Sequence, residues 1–308
     1  MYEVLMFDGG VYRSDELYEL IDDVGGVVIN KVRSQQMLMV TMAIPGGEVP
    51  VLDSFAQSIG GVTREVPLAG TEIAVVGPTL GRHHMPHPIC DFAEQLRQLG
   101  AITVVMGLAR GRGKGTAQIM AEEKAIINEY DAAIFMMGNF KACVEAKKHI
   151  FDQITIPVVL VTGAHPEGLD QDCEAIVSGI GRKSERMRRP EERKKLLEVA
   201  EETVRVIKDR RQVIEEDPPF VHPAEVKQRI EDLEAVAYNL RPAPIVLHLD
   251  GLRVKIPYAE NATELNDIMI YGRRLGDVAE IKPSRISDSS TIIRILSRSE
   301  VEYRDSQK

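Results

Sequence analysis

Along the chain, short apolar runs alternate with segments whose apolar residues recur at helical spacing. The first stretch reads β-α-β-β-α-β. Tyr2–Phe7 is a short apolar strand, and Asp15–Asp22 carries a helical pattern closed by Gly25-Gly26. Val27–Arg33 and Met37–Ala43 read as two strands across a polar turn at Ser34-Gln35. Val49–Ser58 reads as a helix between Pro45-Gly46-Gly47 and Gly60-Gly61. This order predicts a ferredoxin-like α+β domain over residues 1–68.

The pattern then changes. Glu72–Val76, Ala101–Met106, Ala132–Met137 and Ile156–Val161 are apolar without polar alternation, as parallel strands covered on both faces are. Helical segments follow them at Ile89–Leu99, Thr116–Asn128, Lys141–Ile150 and Asp172–Val177. The prediction is an open parallel α/β sheet over residues 69–182. Pro190 opens a long polar helix, Glu191–Arg211, with Leu196, Leu197, Ala200, Val204 and Ile207 as its apolar stripe. Asp217-Pro218-Pro219 stops it, and a second helix is expected over Ala224–Val236. Ile245–Leu249 and Leu252–Ile256 flank Asp250-Gly251, a hairpin signal, and Thr291–Leu296 is one more strand. Residues 183–308 thus read as a helical and β-containing C-terminal region, and the fold class as α/β.

Composition narrows the function. The net charge of −9 weighs against nucleic-acid binding, which rests largely on phosphate neutralisation. There is no Trp, so base-stacking platforms are scarce. No apolar run approaches the ~18 residues of a membrane span, and Met1–Asp8 lacks the basic region of a signal peptide. An odd number of cysteines, three, fits a reducing cytoplasmic setting better than a disulfide framework.

Those cysteines carry the first candidate chemistry. Cys90 follows His83, His84 and His87 in the loop after the first middle strand, where a helix start favours a thiolate. Cys143 follows the third strand and Cys173 the fourth. Parallel strands all end at one edge, so the three thiols are expected on one ligand-binding rim. There they, with imidazole, could hold a soft metal or an iron–sulfur group. Packed, inert cysteines and histidines that cap backbone groups are the alternative. His87 and Cys90 are the favoured pair.

A second candidate is the run from Gly107 to Thr116. Its glycines allow close anion approach, and Arg110, Arg112 and Lys114 add charge. Gly115 intervenes between Lys114 and Thr116, which breaks P-loop spacing, so no nucleotide is expected on this chain. Arg186, Arg188 and Arg189 lie in a basic run suited to an acidic partner surface, or simply to solvent.

Gly77-Pro78-Thr79-Leu80-Gly81-Arg82-His83-His84-Met85, His87-Pro88-Ile89-Cys90, Leu108-Ala109-Arg110-Gly111-Arg112-Gly113 and the opening Tyr2–Tyr12 resemble methanogenesis marker protein 7. Over about Thr71–Gly163 the chain also resembles methyl-coenzyme M reductase operon protein C. The resemblance implies a subunit of the ATP-dependent assembly that activates methyl-coenzyme M reductase by reducing the nickel of coenzyme F430. It implies as partners the reductase, operon protein C, other methanogenesis marker proteins and an ABC-type ATPase. It also implies a complex iron–sulfur cluster, shared with a partner, with Cys90, Cys143 and Cys173 as ligands and His83, His84 or His87 beside them. A structural adaptor without its own cluster and a small-anion-binding enzyme are the alternatives.

Overall fold

The computed structural model describes residues 2–33, 35–77, 89–108, 119–138, 141–180 and 189–307. The chain begins with β1 (Tyr2–Gly10), α1 (Ser14–Asp23), β2 (Val27–Arg33), β3 (Met37–Pro45), α2 (Val49–Ser58) and β4 (Val62–Glu65). The strands form an antiparallel sheet in the order β2-β3-β1-β4. Alternation along β1 and β3 sends Leu5, Phe7, Val40 and Met42 to one face, where Leu17 and Ile21 of α1 and Leu52 of α2 cover them. Gly61 is required by close approach: a Cβ there would lie 2.2 Å from the Phe7 ring. The opposite face, through Ile29 and Ala43, packs into the C-terminal part of the chain.

The middle of the chain is a five-stranded parallel sheet of order β6-β5-β7-β8-β9. It comprises β5 (Glu72–Gly77), α3 (Ile89–Gln98), β6 (Ile102–Gly107), α4 (Ala121–Ile127), β7 (Ala132–Met136), α5 (Lys141–Glu145), β8 (Val158–Val161) and β9 (Ala175–Val177). A 3-10 turn, Lys148–Ile150, continues after α5, so the helix expected over Lys141–Ile150 is broken in two. Ile73 and Val75 face α3. Ala74 and Val76 face Ile127 of α4, Val144 of α5 and Ile150. Helices on both faces explain why the strand sequences lack polar alternation.

The helix expected over Asp172–Val177 is instead the short strand β9, parallel to β8. Its three residues are too few for periodicity to separate strand from helix. The Glu174 carboxylate, accepting the Val158 N–H at 2.5 Å, anchors its start.

The rest of the chain wraps this sheet. It contains α6 (Arg189–Glu216), α7 (Pro223–Glu231), α8 (Glu234–Ala237), β10 (Ile245–His248), β11 (Gly251–Val254), α9 (Tyr258–Asp267), β12 (Met269–Ile270), β13 (Arg273–Arg274), α10 (Leu275–Val278), β14 (Ala279–Pro283), β15 (Thr291–Ile295) and α11 (Arg298–Ser306). The helix expected over Ala224–Val236 is thus two helices, α7 and α8, separated at Asp232-Leu233. The four longest strands of this part pair antiparallel as β10-β11-β15-β14.

α6 lies beside α3 and over β8 and β9. Its buried stripe runs through Leu196, Val199, Ala200, Thr203 and Ile207, while Leu197, expected in the stripe, is 43% exposed. The helix turns Val199 inward and Leu197 outward because 100° per residue puts 196, 199, 200, 203 and 207 on one side. Near its end, Arg211 donates to the carbonyls of Pro67 at 2.6 Å and Ala69 at 2.8 Å, fixing the link between the first and second sheets. Among the described residues no helix is long and apolar enough to cross a membrane.

Candidate functional site

Strand order defines a crevice. α3 packs on one face of the parallel sheet and α4 and α5 on the other, so the crossovers from β5 and from β7 leave in opposite directions. The carboxyl ends of β5 and β7 therefore flank a topological switch point, the place where open α/β sheets open a ligand crevice. Beyond β7, β8 and β9, backbone hydrogen bonds link three glycines. Gly163 N–H donates to Gly138 at 3.4 Å, and Gly179 N–H donates to Gly163 at 3.2 Å. A Cβ on Gly138 would meet nothing within 4 Å. Gly179 has φ +86°, a conformation that side chains rarely adopt.

Two of the cysteines belong to the helices that follow the switch-point strands. Cys90 is in the first turn of α3, which follows β5. Ile89, Phe92, Ala93 and Leu96 take the buried face of that helix, which turns Cys90 outward and leaves it exposed. Cys143 is on α5, which follows β7.

Cys173 does not share that edge. It sits two residues before β9, at the amino edge of the sheet, packed against the core around Phe135 and Phe151. The expectation of one rim for all three thiols fails because β9 is parallel to β8: the chain must return to the amino edge before entering it, and Cys173 lies on the return. Burial, reinforced by the Glu174, Asp172 and Asp170 carboxylates, pushes its thiol up to about 12.

His83, His84, His87, Arg110, Arg112, Lys114, Arg186 and Arg188 lie outside the described residues. Arg189 is the first residue of α6. Among the described residues, no three His, Cys, Asp or Glu side chains converge as a metal site. Cys90 is exposed at the carboxyl edge of the sheet, residue 143 lies on the helix at that same edge, and Cys173 lies at the opposite edge.

The opposite edge holds a polar cluster that the sequence reading missed. Glu72 opens β5, and Asp131 immediately precedes β7. His248 ends β10, and Arg253 is on β11. The His248 ring donates from Nε2 to Glu72 Oε2 at 2.9 Å, and Arg253 Nε donates to the same oxygen at 2.9 Å. Arg253 also donates to Glu129 Oε2 at 2.9 Å and to Ser284 Oγ at 2.7 Å, and its guanidinium lies 5.4 Å from the Tyr130 ring centre. Asp131 accepts backbone N–H groups from Glu72 at 2.7 Å and Leu249 at 2.8 Å.

Burial works against the Glu72 carboxylate, but His248 and Arg253 outweigh it and hold its pKa below the ordinary value. Burial likewise opposes charge on His248, yet Asp131 and Glu72 raise its pKa. Burial pushes Asp131 up to about 6, against the pull of His248 and of its two N–H donors. Its hydrogen bonds and ion pairs join the parallel sheet to the C-terminal sheet. Its sequence signal was present: Arg253 interrupts an apolar strand, and Glu72 and His248 stand directly at the ends of two others.

Comparison with known proteins places the chain among relatives. A family model described as methyl-coenzyme M reductase operon protein C matches residues 2–268, a wider span than the middle region that carried the resemblance in the sequence. An uncharacterised protein of Methanocaldococcus jannaschii is 42% identical over 304 residues, covering 98% of this chain and 96% of that one. A methyl-coenzyme M reductase operon protein C of Methanococcus vannielii is 26% identical over 101 residues, covering 29% of this chain and 51% of that one. A solved phospho-2-dehydro-3-deoxyheptonate aldolase of Thermotoga maritima, 13% identical over 53% of this chain and 62% of that one, superposes with a TM-score of 0.17 and carries no argument.

Proposed function

Since the chain belongs to the methyl-coenzyme M reductase operon protein C family, we propose that it is a non-catalytic subunit of the ATP-dependent complex that activates methyl-coenzyme M reductase. In this reading it helps to position an iron–sulfur cluster for electron delivery to the nickel of coenzyme F430. The family match over residues 2–268 is the observation that carries the reading. The resemblance to methanogenesis marker protein 7 and the expected partners, an ABC-type ATPase and other marker proteins, belong to the same proposal.

The placement of Cys90 and Cys143 supports it. Each is on a helix that follows a switch-point strand, and Cys90 is exposed, where a group shared with a partner subunit could reach it. A cluster held there would supply one-electron transfer. The chain's own part is to carry Cys90 and Cys143 on helices anchored to the parallel sheet. Two thiols do not complete an iron–sulfur shell, so a neighbouring subunit supplies the rest.

The test is anaerobic purification of the native complex carrying Cys90→Ser, Cys143→Ser or Cys173→Ser, with iron measured per assembled complex. Iron should fall in the first two variants and persist in the third. Unchanged iron in an assembled Cys90→Ser/Cys143→Ser complex would assign the chain to the adaptor role and overturn its part in holding a cluster.

A further inference from the structure

A cavity of about 240 Å³ lies between the first sheet, α6 and the end of β10. Val4 and Ala43 of the first sheet, Ile214 of α6, and Leu247 and Leu249 at the end of β10 form apolar walls. Arg211, Glu215, His222 and His248 form its polar side. The site stands apart from the cysteine-bearing edge and does not depend on the function proposed above.

Arg211 is the unusual member. Its side chain is half-buried and makes its hydrogen bonds to two backbone carbonyls, those of Pro67 and Ala69. These bonds use two of five N–H donors and offset none of the charge. Among the described residues no carboxylate forms an ion pair with it; Glu215, also at the cavity, is exposed and is not within ion-pair distance. Burial holds Arg211 below its ordinary pKa, and the one group pulling it back is Asp131. Beside it, burial lowers His222; Glu225 opposes the shift and Arg211 adds to it. His222 Nδ1 accepts the Ala224 N–H at 3.2 Å, which turns the other ring nitrogen into a donor when the ring is neutral.

A half-buried cation without an ion-pair partner is costly, and a chain needing only to tie down two carbonyls could do so with a neutral donor. A guanidinium with N–H groups to spare matches a carboxylate. The volume is below the ~300–1,000 Å³ of drug-sized pockets, which restricts the occupant to a short molecule. We propose that this cavity binds a small carboxylic acid with a short aliphatic body, its carboxylate on Arg211 and its chain against Leu247 and Leu249.

The experiment is isothermal titration of the full chain at neutral pH with hexanoate, with n-hexanol, which lacks the charged head, and with acetate, which lacks the body. Hexanoate should bind at least about tenfold tighter than either, a difference of ~1.4 kcal/mol. In Arg211→Met the preference for hexanoate over hexanol should fall to near unity. Because Arg211 also braces the Pro67–Ala69 link, Ile214→Trp is the companion variant: it fills the cavity, keeps Arg211, and adds the chain's only Trp as a fluorescent report of folding. Folded Ile214→Trp should bind none of the three. Equal affinity for hexanoate and hexanol, no binding of hexanoate, or undiminished hexanoate binding by folded Ile214→Trp would each overturn the assignment.

Discussion

Glu72, His248 and Arg253 are charged or titratable residues in strands that are otherwise apolar, and each is less than a tenth exposed. Such groups survive burial only when paired and hydrogen-bonded, and here the partners come from three sheet-forming strands and two loops. Residue chemistry sets a pH dependence. His248 has a raised pKa in the folded chain, so the folded state binds its proton more tightly than the unfolded one. The resulting stability is present below the unfolded value of about 6.5 and lost as pH rises through the folded value. Asp131, raised to about 6, titrates in a lower window that begins near 3.9 and leaves the upper one clear. Urea midpoints above pH ~6.5 should therefore fall with rising pH in the native chain and stay flat in His248→Gln. Parallel profiles in the two proteins would remove the His248 charge from the account.

At the scale of the element, the β10–β11 hairpin does two jobs. Asp250-Gly251 predicted a turn, and a turn is present, but its two-residue tip is Leu249-Asp250 and Gly251 is already the first residue of β11, paired with His248. That shift puts the Leu249 N–H onto Asp131, so the hairpin tip docks on the amino edge of the parallel sheet. Gly251 is needed for closeness rather than for a left-handed backbone: a Cβ there would lie 2.0 Å from the Ile293 carbonyl oxygen of β15. Gly251→Ala should cost about 1–3 kcal/mol in urea unfolding, the usual range for overpacking. A loss under ~0.5 kcal/mol would show that β15 can move aside freely. The same scale explains the cysteines. A helix start placed Cys90 outward because its apolar neighbours recur at helical spacing, whereas the edge of Cys173 depended on a three-residue strand invisible to periodicity.

For the whole molecule, the family match ends at residue 268, yet the fold does not. Residues beyond it supply β14 and β15, and β15 pairs with β11 on the side away from β10. Ser284, also beyond it, closes the Arg253–Glu129 cluster. A chain ended at Ile268 would leave Leu252 and Val254 uncovered and Arg253 short of a partner. It should lose its cooperative thermal transition, measured by far-ultraviolet circular dichroism. A sharp melt at the full-length temperature would show that β10 and β11 stand without β15.

What the sequence determined by itself was the parallel sheet, the long helix after it and the place of Cys90 at the start of α3. Burial on both faces, or on one helical stripe, is recorded locally as runs and spacings. Tertiary structure alone decided which edge each thiol faces, that Leu197 points outward while Val199 points in, and that Glu72 meets His248, 176 positions away. The physical reason is that an apolar or charged residue announces its need for burial or for a partner, but the partner is chosen by strand order and by the path of the returning chain.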